Sequence, residues 1–90
     1  MYHLTPFWVK LNYAFVLQLD GPVIESTANV LRLLIERQTL LDSLNLQVNA
    51  INEARLVIHC YLEKDRVKHI VHQLSKVKGV HKLELLEKKI

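Results

Sequence analysis

Five histidines and a single cysteine are the side chains in this sequence best suited to metal binding or nucleophilic chemistry. Their spacing decides how much of that chemistry is open to them. His69 and His72 stand three apart within a helical stretch, a spacing found in metal sites, but such sites need further ligands. The neighbours here are Arg66, Lys68 and Lys76, which repel a cation, so the pair reads as solvated surface histidine. Cys60 falls in the run Leu56, Ile58, Cys60, Leu62, the apolar side of a strand. A buried thiol behaves as a small hydrophobe, and nothing around it would lower its pKa enough to make a nucleophile. His59 lies on the opposite face of that strand, two residues from Tyr61, where it lines an interface or a wet surface. His3 and His81 join no constellation. There is no nucleophile with a matched base and no carboxylate pair. Two glycines cannot build a phosphate loop. The chain is expected to be no enzyme in its own right.

One turn has binding potential. Asp20-Gly21-Pro22 leads directly into a helix, and the first turn of a helix offers free N–H groups and the positive end of its dipole. Asp20, Gly21, Pro22, Val23, Ile24 and Glu25 are therefore the candidate effector site, able to receive a carboxylate such as that of a free amino acid.

The elements that must position these residues are legible from periodicity. Leu11, Tyr13, Phe15, Leu17 and Leu19 alternate and mark a half-buried strand. Val23, Thr27, Val30, Leu31 and Leu34 recur at helical spacing up to about Gln38, with Arg32, Glu36 and Arg37 on the other side. Leu44, Leu46 and Val48 alternate again, and after a tight connection at Asn52-Glu53 the Leu56–Leu62 run completes a hairpin. Asp65 is expected to cap a second helix whose apolar face is Val67, Ile70, Val71, Leu74 and Val77, with Gly79 ending it. Val80 to Glu87 is the last strand, with Leu83 and Leu85 facing inward. The order is βαββαβ. Right-handed crossovers leave few ways to fold it, so the expected fold is α+β: a ferredoxin-like four-stranded antiparallel sheet with two helices on one face.

Ninety residues make one domain with a modest core. Residues 1–10 are expected to be an N-terminal extension and residues 11–90 a single domain. Phe7, Trp8 and Val9 would then pack either on a neighbour or on the domain itself. The net charge of +3 and a pI near 9.2 are too mild for a nucleic-acid binder, since bases are mixed with acids throughout. The lone cysteine forbids an internal disulfide. Lys10 interrupts the N-terminal stretch, and the apolar run Tyr13–Leu19 is too short to cross a bilayer, so a cytoplasmic location without membrane contact is expected.

The sheet face away from the helices should carry Ala14, Val16, Gln18, Asn45, Gln47, Asn49, Val57, His59 and Tyr61. None of these is an acid, a lysine or an arginine. A face of moderate polarity without charge fits a protein–protein contact, so Val16, Gln18, Asn45, Gln47, Asn49, Val57, His59 and Tyr61 are the interface candidates. The RNA-recognition motif shares the βαββαβ order but needs aromatics on this face and a glycine-aromatic signature in the third strand. Arg55-Leu56-Val57-Ile58-His59-Cys60-Tyr61-Leu62 has one aromatic and no glycine.

Two stretches carry a family resemblance. Val30-Leu31-Arg32-Leu33-Leu34-Ile35-Glu36-Arg37, with Leu41-Asp42-Ser43-Leu44-Asn45-Leu46 after it, is similar to the helix and second strand of the short, isozyme II type of acetolactate synthase small subunit. Val71 to Leu83 resembles that family's Gln-Leu-Asn-Lys-Leu-x-x-Val run, with Ser75 in place of the asparagine. The resemblance spans roughly Tyr13 to Leu86, and the chain length suits the short form, a lone ACT domain. It implies a non-catalytic regulatory subunit in branched-chain amino-acid biosynthesis. Such a subunit would be a homodimer that docks on and activates the acetolactate synthase catalytic subunit, with an amino acid as effector. Thiamine diphosphate, magnesium and FAD would belong to that partner, and no cofactor is expected in this chain. Valine-responsive relatives carry Asn-x-Pro-Gly after the first strand and a second asparagine near the second. In that register Pro22 stands at the first asparagine, Ile24 at the proline, Glu25 at the glycine and Leu40 at the second asparagine. The resemblance therefore implies a weak or absent valine response. The alternative is a stand-alone ACT-type sensor, or an interaction module, acting on another protein.

Overall fold

The computed structural model describes residues 10–87. It runs β1 (Lys10–Asp20), α1 (Val23–Glu36), β2 (Leu40–Ala50), β3 (Glu53–Glu63), a 3-10 turn (Lys64–Arg66), α2 (Val67–Ser75) and β4 (Val80–Glu87). The strands form one antiparallel sheet in the order β2-β3-β1-β4. This is the ferredoxin-like βαββαβ fold expected from the periodicity. The proposed extension up to residue 9 lies outside the described residues.

β1 is the spine of the sheet. Its alternation puts Tyr13, Phe15, Leu17 and Leu19 on the helix side, all buried. They meet Ala54, Leu56, Ile58, Cys60 and Leu62 from β3, Val23, Val30 and Leu34 from α1, and Val67, Ile70 and Leu74 from α2. Each fully buried aliphatic or aromatic side chain contributes roughly 1.5–3 kcal/mol relative to exposure. Cys60 sits wholly inside this core, and burial pushes its thiol up from 9.0 to about 11.

The structure departs from the sequence reading at four element ends. β2 begins at Leu40 rather than Leu44, because a bulge at Asp42 breaks the alternation and sets both Leu41 and Leu44 opposite core residues, Cys60 and Ile58. α1 stops at Glu36. Gln38, at φ 53, takes the left-handed position beyond its end, and the N–H groups of Gln38 and Thr39 donate to the carbonyls of Ile35 and Leu34. This is a Schellman closure built without glycine. Asp65 does not cap α2 with its side chain. It lies in the 3-10 turn, whose tighter winding carries the chain into Val67. Gly79 does not end α2 either, since the helix finishes at Ser75 and Gly79 lies in the loop before β4.

Polar contacts tie the far end of α1 to α2. Arg37 Nε donates to Gln73 Oε1 at 2.7 Å, and Arg66 donates to the backbone carbonyl of Arg37. Two outcomes are expected. Gln38→Gly relieves the left-handed strain and should raise the unfolding free energy by roughly 0.5–1 kcal/mol net of the added backbone entropy, read as a higher urea midpoint. The second concerns Cys60, whose folded thiol keeps its proton while the unfolded thiol ionises between pH 9.0 and about 11. Its contribution is therefore fully present below pH 9 and lost as pH rises through that window. Denaturation curves should show a shallower decline across this range for Cys60→Ala than for the unaltered chain.

Candidate functional site

The expected effector turn forms one wall of a real cleft. Asp20, Gly21, Pro22, Glu25, Ser26 and Asn29 face Lys78 and Gly79 across an opening of about 270 Å³. The first wall is the end of β1 and the start of α1; the second is the loop between α2 and β4. Sequence adjacency predicted only the first wall.

Asp20 joins the two. Its N–H donates to the Gly79 carbonyl at 2.8 Å, and its own carbonyl accepts from Ser26 Oγ at 3.1 Å. Its carboxylate lies 3.2 Å from His81 Nδ1, an exposed pair in the neighbouring hollow with Gln18, Asn49 and Arg55. Asn29 Nδ2 donates to the Lys78 carbonyl at 3.4 Å. Gly79 is required here on two counts. Its φ is 99, and a Cβ on it would fall 2.1 Å from Ser26 Oγ and 2.6 Å from Ser26 Cβ. Gly21, at φ 75, also needs glycine's conformational freedom but has open space around it.

The chemistry of the cleft is amphoteric. Helix geometry leaves the N–H groups of Val23, Ile24 and Glu25 without intrahelical partners, whereas Ser26 N–H donates to the Pro22 carbonyl. These donors and the Lys78 ammonium favour an anionic group. Glu25, in the first turn of α1, sets a negative charge beside those donors and opposes an anion, whereas the Asp20 carboxylate is turned to His81.

The structure separates the remaining candidates. Val23 turns into the core, while Ile24 projects away from the cleft into a groove with Leu46, Val48 and Ile51. Leu40 is not in the site. It pairs with Tyr61, which pairs with Asn12, so it sits at the opposite end of the sheet, on the order of 25 Å from Asp20 by strand rise. Sequence reasoning missed Ser26, Asn29, Lys78 and Gly79. Ser26 and Asn29 carried a usable signal, polar residues three apart on the inner side of a helix. Lys78 and Gly79 carried none, because only the tertiary fold brings that loop across.

Val16, Gln18, Asn45, Gln47, Val57, His59 and Tyr61 do share the open sheet face, as the register shows, and Asn49, at an irregularity in β2, lines a hollow with Gln18 and Arg55. That face is not free of charge, however. Arg55 lies opposite Gln18 and Gln47, and Glu84 and Lys82 from β4 lie opposite Val16 and Gln18. Among the described residues no group of three or more His, Cys, Asp or Glu could hold a metal ion, and no helix is long and apolar enough to cross a membrane.

No protein-family model matches the sequence, and no curated protein does. Solved structures do match. The ACT domain from GTP pyrophosphokinase of Chlorobium tepidum superposes with a TM-score of 0.74 at 14% identity, covering 86% of this chain and 99% of that one. The fold is ACT-like. A putative glycine cleavage system transcriptional repressor matches with a TM-score of 0.67 at 15% identity, over 98% of this chain and 52% of the other. The C-terminal domain of the MgtC protein from Mycobacterium tuberculosis matches with a TM-score of 0.68 at 11% identity, over 94% of each chain. At these identities the likeness extends to the fold. In this ACT-like chain, Gly79→Ala should cost roughly 2–4 kcal/mol, from strain at positive φ plus the clash with Ser26. Gly21→Ala should cost about 1–2 kcal/mol, from backbone strain alone. Chemical denaturation of the two variants checks the order.

Proposed function

We propose that this chain is a regulatory domain that docks on an enzyme, and that the enzyme is the acetolactate synthase catalytic subunit. The observation that carries the regulatory reading is the cleft, joined through the Asp20 backbone and charged in both senses, on an ACT-like fold. The resemblance of Val30–Leu46 and Val71–Leu83 to the short small subunits supports the choice of partner. In this reading the chain supplies no catalytic group. It stabilises the active form of its partner, which holds the thiamine diphosphate, magnesium and FAD. The partly covered side chains Val16, Val57, His59 and Tyr61 on the open face offer the docking contacts.

Valine has little effect in this reading. Glu25 stands in the first turn of α1, beside the N–H groups that would take a ligand carboxylate. A unit charge at about 4 Å costs about 1 kcal/mol even at the dielectric of water. Titration of the chain into the purified catalytic subunit should raise activity to a plateau, with valine changing that plateau little. A flat titration without co-elution removes this partner, and strong valine inhibition removes the argument from Glu25.

The cleft itself favours a second reading, a stand-alone sensor of another amino acid. Calorimetry of the isolated chain against an amino-acid panel separates the two, since tight binding without an enzyme partner supports the sensor. In either case Glu25→Gln should strengthen binding of an amino acid by roughly fivefold, the equivalent of that 1 kcal/mol.

A further inference from the structure

The outer side of α2 is basic, although the charge of the whole chain is mild. Residues 64–82 hold six lysines and arginines against one acid, Asp65, where the chain as a whole holds 12 against 9. The fold then sorts these side chains. Arg66 donates to the Arg37 carbonyl and Arg37 to Gln73, so both arginines are taken up between the helices. Lys64, Lys68, His72 and Lys76 are exposed. They recur at every fourth residue from the 3-10 turn along α2, a row of roughly 18 Å by helix rise. Bases are mixed with acids on the outer side of α1, where Glu25 and Glu36 flank Arg32, but not on α2.

This row works against its own helix. No acid stands in the first turn of α2, and Lys64 and Lys68 lie near the end where the helix dipole is positive. Like charges on successive turns also repel. Among the described residues the ion pairs are His81 with Asp20 and Lys82 with Glu84, so no carboxylate there neutralises the row. A local rule broken without compensation inside the fold marks a functional position. We propose that the outer side of α2 is a docking surface for an acidic helix of another protein, laid along the row with its carboxylates at the same four-residue spacing. The proposal depends on neither the ligand of the cleft nor the enzyme partner argued above.

Three observations select that occupant. The first is that the row is single. A nucleic-acid duplex presents two rows of phosphate across a groove roughly 12 Å wide and needs a second row of cations beside the first. On α1 that position holds Glu25 and Glu36. The second is the lack of a stacking platform. No phenylalanine, tyrosine or tryptophan lies between 64 and 82 to hold single-stranded bases. The third is the lack of an apolar wedge. None of the exposed large hydrophobic side chains belongs to α2, so a lipid surface gains no insertion there. A line of carboxylates is what matches the row. Glutamates four apart on a helix stand about 5–6 Å from one another, as the cations do.

The test titrates the full chain with an alanine-rich helical peptide that carries glutamate at every fourth position, read by amide NMR shifts in low and in physiological salt. The shifts should gather on residues 64–76, and the added salt should weaken binding roughly tenfold. Lys68→Gln removes one charge and should weaken binding about threefold. The double variant Lys68→Glu, Lys76→Glu should lose the glutamate peptide and gain its lysine counterpart, a gain that also shows the variant is folded. Lys82→Glu, on the open face, is the control and should bind as the unaltered chain does. Absent shifts in low salt overturn the proposal, and so does binding that survives both Lys68→Gln and the double reversal. Tighter binding of a single-stranded oligonucleotide of equal charge, or of phosphatidylglycerol vesicles, overturns the acidic helix and gives the row to that polyanion.

Discussion

The approach of Gly79 to Ser26 is the contact on which the functional end of the domain depends. The first turn of α1 and the loop before β4 are held together there by the backbone of one residue, Asp20, which donates to Gly79 in the loop and accepts from Ser26 in the helix. A methyl group at Gly79 has nowhere to go. The floor of the cleft is therefore rigid, and its chemistry lies at the rim, where Glu25, Lys78 and the first N–H groups of α1 can meet a ligand. Rigid backbone below and exposed charged side chains above is an arrangement in which specificity can change without disturbing the fold.

The other end of α1 is fixed differently. There the left-handed Gln38 closes the helix, and Arg66 and Arg37 reach across between the helices. The strain at Gln38 is tolerated because both of its neighbouring N–H groups find carbonyls. α1 is thus pinned at both ends, and its outer flank is held beside β2 as a single apolar surface.

Much of the fold was legible because its signals are local. The alternation of β1 and β3 and the helical spacing in α1 and α2 each report burial directly, since one face of each element meets the core. What was not legible depended on events between elements. The bulge at Asp42 hid the first four residues of β2 by shifting its period. Leu44, Leu46 and Val48 carry a core-like pattern, and sequence alone cannot tell that no helix reaches them. The half-site Asp20–Glu25 could be read from a turn beside a helix start, but Lys78 and Gly79 arrive only through the tertiary fold. Leu40 was assigned from a motif register and lies at the other end of the sheet, because β1 and β2 run parallel and a strand start is far from a strand end.

The strand order also governs how the chain can assemble during synthesis. β1, a central and largely buried strand, is made before the other three but pairs only with β3 and β4. At about 5–20 residues per second, its Tyr13–Leu19 segment waits for seconds without a partner strand. The β2–β3 hairpin is the one pairing between strands adjacent in sequence, so it is the natural nucleus, and β1 must find it by closing a long loop. An unpartnered β1 is therefore the species from which misassembly of this domain would start.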